Sequence, residues 1–573
     1  MVEQGMRQDA HPVDELRPQI PSHEEMNAGI TPGWCLDWRY LALLLVLVLP
    51  LRLWLIYNTE VAARDSIGFI RYALQFEHKS WSDVLHGNHQ HPGYPLAVWA
   101  VSRPVRAWAG TDALTMRISA QLASTLAALA LLVPMFYLGK ELFDRQVGFW
   151  GALLFQYFPV SGHHLADGIS EALFLFLIAM ALWRGVLAVR NYRAREFAWC
   201  GFWGGLAYLT RPEGALVVLA VGLVLIAMQM AASRRKPWQS FVACGLGLGV
   251  TAAAVGSIYF LTLGHFTNKN AARNIGNLIS IDKQKAEPTS SGVVGGPLVA
   301  SVFGVFIKPA DSFSARLGRG LGALGAEFSQ GFHYVGWVPA LLALFWQWRR
   351  LRRDAGFWIP AAYCLLHGVI LLLLAMVEFY VSDRHVMVLI LCGTFFAVAG
   401  IRESAFRFWA WRERRGGELI SLANATARPW LDPARLTAIL LLAMVLFCVP
   451  KTSQRLHGNR AGNHLAGLWL APKLIVGDVV DDDHAYTHYY AGQVFEEGKE
   501  PVLHRGYQPT CYVVLTRSKD SDIDGDRKEK EDEIRRRAKL VYQWPEDRSL
   551  EEARVVIYAQ PREMRIHPWT VAP

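Results

Sequence analysis

Four short polar turns in this sequence carry the residue types that acid–base and phosphate chemistry require. The first, residues 60–94, reads EVAARDSIGFIRYALQFEHKSWSDVLHGNHQHPGY and supplies Arg64, Asp65, His89, His91 and Tyr94. The second, HHLADGISEALF, supplies His163, His164, Asp167 and Glu171. The third, LTRPEGA, supplies Arg211 and Glu213, and the fourth, VEFYVSDRHVM, supplies Glu378, Asp383, Arg384 and His385. Asp167 and Glu171 are four residues apart, so both can share one face at a helix end. A carboxylate can take the proton of a hydroxyl, while arginines and histidines neutralise an adjacent phosphate. Arginine suits that task because its planar fork donates two hydrogen bonds at once. The mixture fits transfer of a group away from a lipid phosphate, a leaving group that needs cations more than a general acid. Taken singly, each charged residue also reads as an ordinary cap of a helix at a membrane surface. That reading weakens for the set, because ionisable groups at membrane depth are costly and usually functional.

These turns punctuate a strongly apolar chain. Of 573 residues, 52% are hydrophobic and 19% charged, and many apolar runs approach the ~20 residues that cross ~30 Å of hydrocarbon as a helix. The chain reads as an α-helical polytopic membrane protein. Its net charge of +9 reads as basic loops facing the cytoplasm, with no need of nucleic acid. The basic clusters Lys140–Arg145, Arg190–Arg195, Arg234–Lys236, Arg349–Arg353 and Arg402–Arg415 are each separated by two apolar segments, which puts them on one face. Parity then denies a crossing to Pro92–Ala109, which Arg103, Pro104 and Arg106 interrupt; an interfacial or re-entrant helix is expected there. About eleven transmembrane helices follow, at 40–57, 116–139, 146–162, 168–189, 197–210, 213–231, 240–262, 331–347, 357–377, 385–401 and 435–450.

The domains expected are a cytoplasmic N-terminal tail (1–38), a transmembrane domain (39–450) and a small extracytoplasmic α/β domain (451–573). The transmembrane domain carries a first outer loop at 58–115, with interfacial helices, and a long outer loop at 263–330. All four polar turns then lie on the outer face of the cell (inner) membrane, at or within one turn of the span ends. Six of the seven cysteines sit in or beside apolar segments, and no CxxC or Cys/His metal spacing occurs. No small-residue cleavage site follows the first apolar run, which is expected to stay as an uncleaved span.

In order and spacing, these motifs resemble the lipid-linked glycosyltransferases of superfamily C, in the branch of the protein O-mannosyltransferases and the aminoarabinose transferases. In that family an acid opens a D-E-x-x-Y-like pattern in the first outer loop; here ARDSIGFIRYA has Asp65, with Ser66 at the second acid and Phe69 at the aromatic. The loop closes on a K/H-P-P-L-Y-like turn, matched by HPGYPL with His91, Pro92 and Tyr94, but with Gly93 at the second proline. SEALFLFL resembles the later D/E-P-L motif and puts Glu171 at the family's second acid, with Asp167 an extra carboxylate one turn earlier. Arg211 in GGLAYLTRPEG and Arg384 in DRHVMVL fall at the family's later basic positions, His385 replacing a tyrosine.

The resemblance implies an inverting transfer of a sugar from a polyprenyl-phosphate donor to a hydroxyl acceptor on lipid, protein or glycan. Asp65 is then the base, with Glu171 and Asp167 as the further catalytic residues that position the acceptor or the base. Arg211, Arg384, His91 and Arg64 hold the donor phosphate. His89, Tyr94, His163, His164, Glu213 and His385 are candidates for acceptor or substrate contacts. The competing class is a transporter or flippase of a lipid-linked sugar, which such proteins often announce by an internal repeat; none is evident here.

No cofactor is required by this chemistry, although His89, His91 and His265 leave a divalent metal open. Asn268, Lys269 and Arg273 could add charge near the donor phosphate. In the tail, VVDDDHAYTHYY (Asp481, Asp482, Asp483, His484) reads as a strand-end turn in preference to a metal site. Strands are expected at Leu474–Val480, Cys511–Leu515 and Arg554–Ala559, and KDSDIDGDRKEKEDEIRRR reads as a solvated hairpin or helix.

Overall fold

Eight helices among the described residues are long and apolar enough to cross a membrane. The computed structural model describes residues 33–231, 235–268, 313–378, 380–416, 432–497, 508–517 and 525–561. In chain order the helices are α1 (Gly33–Tyr57), α2 (Arg64–Gln75), α3 (Trp81–His86), α4 (Gly93–Ala109), α5 (Ala113–Leu142), α6 (Arg145–Tyr157), α7 (Pro159–His164), α8 (Glu171–Asn191) and α9 (Ala194–Thr210). They continue as α10 (Ala215–Met230), α11 (Trp238–Leu263), α12 (Phe313–Gly331), α13 (Trp337–Leu351), α14 (Trp358–Glu378), α15 (Met387–Gly416) and α16 (Pro433–Thr452). The tail adds α17 (Ala461–Leu470), α18 (Tyr486–Tyr490) and α19 (Gly525–Arg537) around strands β1 (Val479–Asp482), β2 (Thr510–Thr516), β3 (Lys539–Trp544) and β4 (Val555–Pro561). The chain is thus a multi-pass helical membrane protein with a small mixed sheet at its C-terminal end.

Three of the eleven expected spans are not among those eight, whereas α10 qualifies together with the helical turn that precedes it, Pro212–Met230. α9 has 17 residues and α13 has 15. The segment expected at 146–162 is broken into α6, of 13 residues, and α7, of 6. Proline makes the break: Phe158 is extended ahead of Pro159 (φ −57°, ψ 132°), and Pro159 has no N–H to offer the Phe155 carbonyl.

Side chains replace the lost backbone bonds. Ser161 Oγ donates to the Phe155 carbonyl. Arg52 Nη2 donates to the Gln156 carbonyl at 3.2 Å, and Thr452 Oγ1 to the Tyr157 carbonyl at 2.6 Å. Arg52 comes from α1, is fully buried, and also reaches the Gly162 carbonyl at 2.6 Å. An unpaired carbonyl has no water to turn to at this depth. Thr452→Val keeps the shape of the buried side chain and removes its donor, so it is expected to cost about 1–3 kcal/mol. A thermal unfolding midpoint in detergent equal to that of the parent would refute this account.

α12 occupies the end of the expected outer loop 263–330 and packs against α14, with Glu327 buried. Its helical period is diluted by Gly318, Gly320, Gly322 and Gly325, which read as loop. Lys269 and Arg273 lie outside the described residues. α9 and α11 meet through small residues: a Cβ on Gly201 would strike the Leu248 carbonyl and Thr251 Oγ1, the close approach that glycine permits between membrane helices.

The tail folds as a four-stranded sheet in the order β1-β2-β4-β3, with β1 and β2 parallel and the other pairs antiparallel. β3, in KLVYQW, was not among the expected strands. Leu470, Val480, Val514 and Ile557 form its core. The tail docks on the first polar loop through Tyr486, Tyr489 and Tyr490, which pack with Val61, Ile67 and Met116. The Ala62 N–H donates to the Tyr490 hydroxyl at 2.8 Å, and the Tyr489 hydroxyl donates to the Ala113 carbonyl at 2.7 Å. One backbone bond joins the two ends of the membrane domain: Glu60 N–H to the Leu456 carbonyl, 3.1 Å, beside a parallel bridge between Thr59 and Leu456.

Candidate active site

The four polar turns converge, and each is placed by a helix end. Asp65 stands in the first turn of α2, where the helix dipole favours a carboxylate, and Glu171 is the first residue of α8. Arg211 is extended (φ −153°, ψ 143°) because Pro212 follows it, and that kink ends α9. Asp383, Arg384 and His385 form the turn between α14 and α15. Arg384 Nη1 pairs with Asp65 Oδ2, and Arg211 Nη1 donates to Glu171 Oε1 at 2.7 Å. Arg211 Nε also lies 3.8 Å from Glu213 Oε2. Acids and guanidiniums therefore alternate across the site: Glu213, Arg211, Glu171, Arg384, Asp65.

A cavity of about 270 Å³ opens beside this row. Its polar end carries Glu171, Arg211, Glu213, Arg384 and His385, and its walls are apolar, with Phe174, Leu216, Leu371 and Val388 among them. A second, wider groove of about 730 Å³ runs between α9, α10 and α11 and shares Ala215 and Phe266 with the first. Glu171 is 3% and Arg211 9% exposed, whereas the side chains of Arg384 and Asp65 are 34% and 38% exposed. The outer pair is the one that solvent, or an acceptor, can reach.

The electrostatics follow from burial and neighbours. Burial, with Arg211 and Arg384 close by, pushes His385 down to about 3, so its ring is neutral. Ser382 N–H donates to His385 Nδ1 at 3.2 Å, which leaves Nε2 to carry the ring proton as a donor. Burial pulls the Arg384 guanidinium down, but Asp65 and Glu171 outweigh it and hold it above its ordinary value. His164 Nε2 sits 3.2 Å from Asp383 Oδ1. Burial opposes charge on both members of that pair, yet their mutual attraction wins and keeps His164 raised and Asp383 lowered. From the segment after the last membrane helix, His457 Nε2 meets Asp167 Oδ1 at 2.6 Å.

Several expected site residues are used elsewhere. His91 is buried with Nδ1 on the Tyr208 carbonyl (2.7 Å) and Nε2 on Thr267 Oγ1 (3.0 Å), so it ties two loops together and does not line the cavity. Tyr94 is fully buried, and its hydroxyl bonds the Ala120 carbonyl and Ser124. His89 Nδ1 meets the Asn268 carbonyl at 3.3 Å, and Asn268 Nδ2 donates to the Asn88 carbonyl at 3.0 Å. His265 Nε2 meets Asn268 Oδ1. His163 Nε2 meets the Thr452 carbonyl at 3.0 Å, and Arg64 Nη2 donates to the Asp483 carbonyl at 3.2 Å. The Glu378 side chain lies outside the described residues.

Gly93 has a steric reason. A Cβ there would come within 2.8 Å of the Leu209 carbonyl and 2.7 Å of Thr210 Oγ1, leaving no room for the family's second proline. In the tail, Asp482 accepts from the backbone of His484 (3.0 Å) and Thr487 (2.6 Å), capping the short helix α18 in a strand-end turn. Among the described residues, no three His, Cys, Asp or Glu side chains converge as a metal site.

Three residues near the site are absent from the sequence-derived set. His367 lines the cavity from the middle of α14 and donates from Nε2 to the His385 carbonyl at 3.0 Å; a histidine inside an apolar run was its one signal. Burial and the nearby Asp383 charge push Glu327 up to about 7, and its glycine-rich surroundings concealed the helix that buries it. His457 follows the last membrane helix and had no motif to mark it.

A family model described as dolichyl-phosphate-mannose-protein mannosyltransferase matches residues 91–256. Among solved structures, ArnT from Cupriavidus metallidurans bound to undecaprenyl phosphate is 14% identical at a TM-score of 0.52, covering 92% of this chain and 98% of that one. The Archaeoglobus fulgidus oligosaccharyltransferase in the apo form is 15% identical at a TM-score of 0.44, covering 82% of this chain and 62% of that one. The chain thus spans less than two thirds of that archaeal protein's length. No curated protein matches. In fold and in family match, the chain resembles the superfamily C lipid-linked glycosyltransferases of the protein O-mannosyltransferase and aminoarabinose transferase-like branch.

Proposed function

We propose that this chain, built on the fold of those membrane glycosyltransferases, moves a sugar from a polyprenyl-phosphate donor to an acceptor hydroxyl, with inversion at the anomeric carbon. The acceptor is carried by lipid, protein or glycan. The site lies on the outer face of the cell (inner) membrane, with the N-terminus cytoplasmic and the C-terminal sheet domain outside. One observation carries this reading: two guanidiniums, Arg211 and Arg384, meet at the polar end of a cavity whose walls are hydrocarbon. That is the shape of a phosphate attached to an isoprenoid.

The residues then take these roles. The donor phosphate enters between Arg211 and Arg384 and accepts the N–H that Arg384 now gives to Asp65. Asp65 is thereby released as a base. The acceptor oxygen bonds to the anomeric carbon as the carbon–oxygen bond to phosphate breaks, and the hydroxyl proton passes to Asp65. The departing polyprenyl phosphate keeps the bonding electrons, and the guanidiniums stabilise its new charge, with the neutral His385 as a further donor. Glu171 and Glu213 hold Arg211 in position. No cofactor is needed, because the fixed cations supply the charge at the leaving group.

The wider groove between α9, α10 and α11 supports the same reading, since it continues the first cavity with apolar, small-residue walls. A Cβ on Gly249 would meet nothing within 4 Å, so Gly249→Leu is not barred at its Cβ, places a larger side chain on the groove wall and improves helix propensity. It is expected to raise KM for a long-chain polyprenyl-phosphate sugar about tenfold, and KM for a short-chain donor much less. Equal KM changes for both donors would remove the tail from this groove.

The whole reading is tested by mass analysis of glycans and glycolipids made with and without the purified protein in liposomes, using labelled polyprenyl-phosphate sugars. A sugar-bearing product and free polyprenyl phosphate are expected. Translocation of the labelled lipid across the bilayer with no transfer product would overturn it in favour of a flippase.

A further inference from the structure

We propose that His457, on the segment following the last membrane helix, is a positioning residue for the transfer reaction: it orients Asp167 so that this carboxylate holds the acceptor hydroxyl. The inference rests on the glycosyl-transfer reading above and extends it to a part of the chain that no motif covers.

The geometry has three parts. First, His457 Nε2 lies 2.6 Å from Asp167 Oδ1, and Asp167 has only a 10% exposed side chain. Second, His457 sits in the left-handed region (φ 55°, ψ 26°), a conformation unfavourable for a residue with a Cβ. Such strain persists only where the surroundings impose it, and it gathers at functional positions. Here the surroundings are explicit. Thr452 and Leu456 are held by His163 and Glu60 through their carbonyls, and Arg455 Nη1 pairs with Glu60 Oε2 at 2.9 Å. Third, Tyr486 of the docked tail feels the charges of both Asp65 and Asp167, with Arg460 stacked on its ring at 5.5 Å. The charges of both carboxylates thus reach one tyrosine, and the backbone beside Asp167 lies against the neighbour of Asp65: a Cβ on Gly168 would come within 2.9 Å of Ser66 Oγ.

The charged groups facing His457 are Asp167 and His164 from the turn after α7, and Arg460 from its own segment. Burial, His164 and Arg460 all disfavour the imidazolium, but Asp167 outweighs them and raises His457 above its ordinary value. The sign follows: the charged pair is complete below the usual histidine range and is lost as pH rises through the raised value in the folded protein. Acceptor binding that depends on the pair weakens over the same interval. His164 titrates nearby, so a variant must separate the two histidines.

The test uses the full-length protein in nanodiscs with the labelled donor and the acceptor whose glycosylated product the preceding mass analysis identifies. His457→Ala is expected to raise acceptor KM about tenfold, the effect of one lost charge-assisted hydrogen bond, while donor KM stays near the parent value. His457→Gln restores a donor to Asp167 and is expected to recover most of the acceptor affinity, while the alkaline loss of acceptor kcat/KM shrinks. An unchanged acceptor KM in His457→Ala, donor and acceptor KM rising together, or an unchanged pH profile in His457→Gln would each overturn the proposal. If the parent protein transfers no sugar at all, the failure lies with the glycosyltransferase reading; if the parent is active and the variants match it, only this inference falls.

Discussion

Asp65→Asn is expected to lower turnover by about 10²–10⁴-fold while leaving donor KM within a few-fold of the parent value. The argument is one of atoms. Asparagine keeps an oxygen that can accept from Arg384, so the Asp65–Arg384 contact and the mouth of the cavity survive. What disappears is the capacity to hold the proton of the acceptor hydroxyl. On the proposed reading the guanidiniums bind the donor phosphate, so affinity and turnover should separate cleanly. Steady-state kinetics with a purified donor decide the matter. A folded Asp65→Asn variant with parental turnover would mean that the base lies elsewhere.

The second large effect is expected at Arg211. Its guanidinium is the 2.7 Å partner of Glu171, and both groups are buried. Arg211→Met strands a carboxylate away from water, which typically costs about 3–5 kcal/mol. Adding Glu171→Gln removes the stranded charge and should recover most of that stability. Donor binding should not recover with it if Arg211 is one of the two cations proposed to hold the phosphate. Unfolding midpoints and donor KM measured on both single variants and the double variant separate the structural from the phosphate-binding role. If donor KM returns to the parental value in the double variant, Arg211 does not contact the phosphate.

Much of this was legible in the sequence because membrane insertion leaves coarse, local marks. Apolar runs and basic clusters outlined the helices, and mixed-charge turns drew attention to Asp65, Glu171, Arg211 and Arg384. What escaped were features that depend on partners far away in the chain. The Arg384–Asp65 and His457–Asp167 contacts join residues 319 and 290 positions apart, and no periodicity reports on such pairings. His91 and Tyr94 resembled site residues by motif, yet their polar atoms are satisfied by Tyr208, Thr267, Ala120 and Ser124. The hydropathy that suggested one span at 146–162 could not show that Pro159 divides it. β3 was missed because KLVYQW is short, lacks a clean apolar–polar alternation and follows a charge-rich helix.

The contact between Glu60 and the segment around Arg455 sets an order of events in biogenesis. These residues are 395 positions apart, and at about 5–20 residues per second of synthesis the first loop waits roughly 20–80 s for its partner. Throughout that interval its helices lack the tyrosines and His457 that complete them. The site is therefore assembled last, when the final membrane helix has been inserted. A chain interrupted before that point would carry the two guanidiniums of the site without the roof above Asp167.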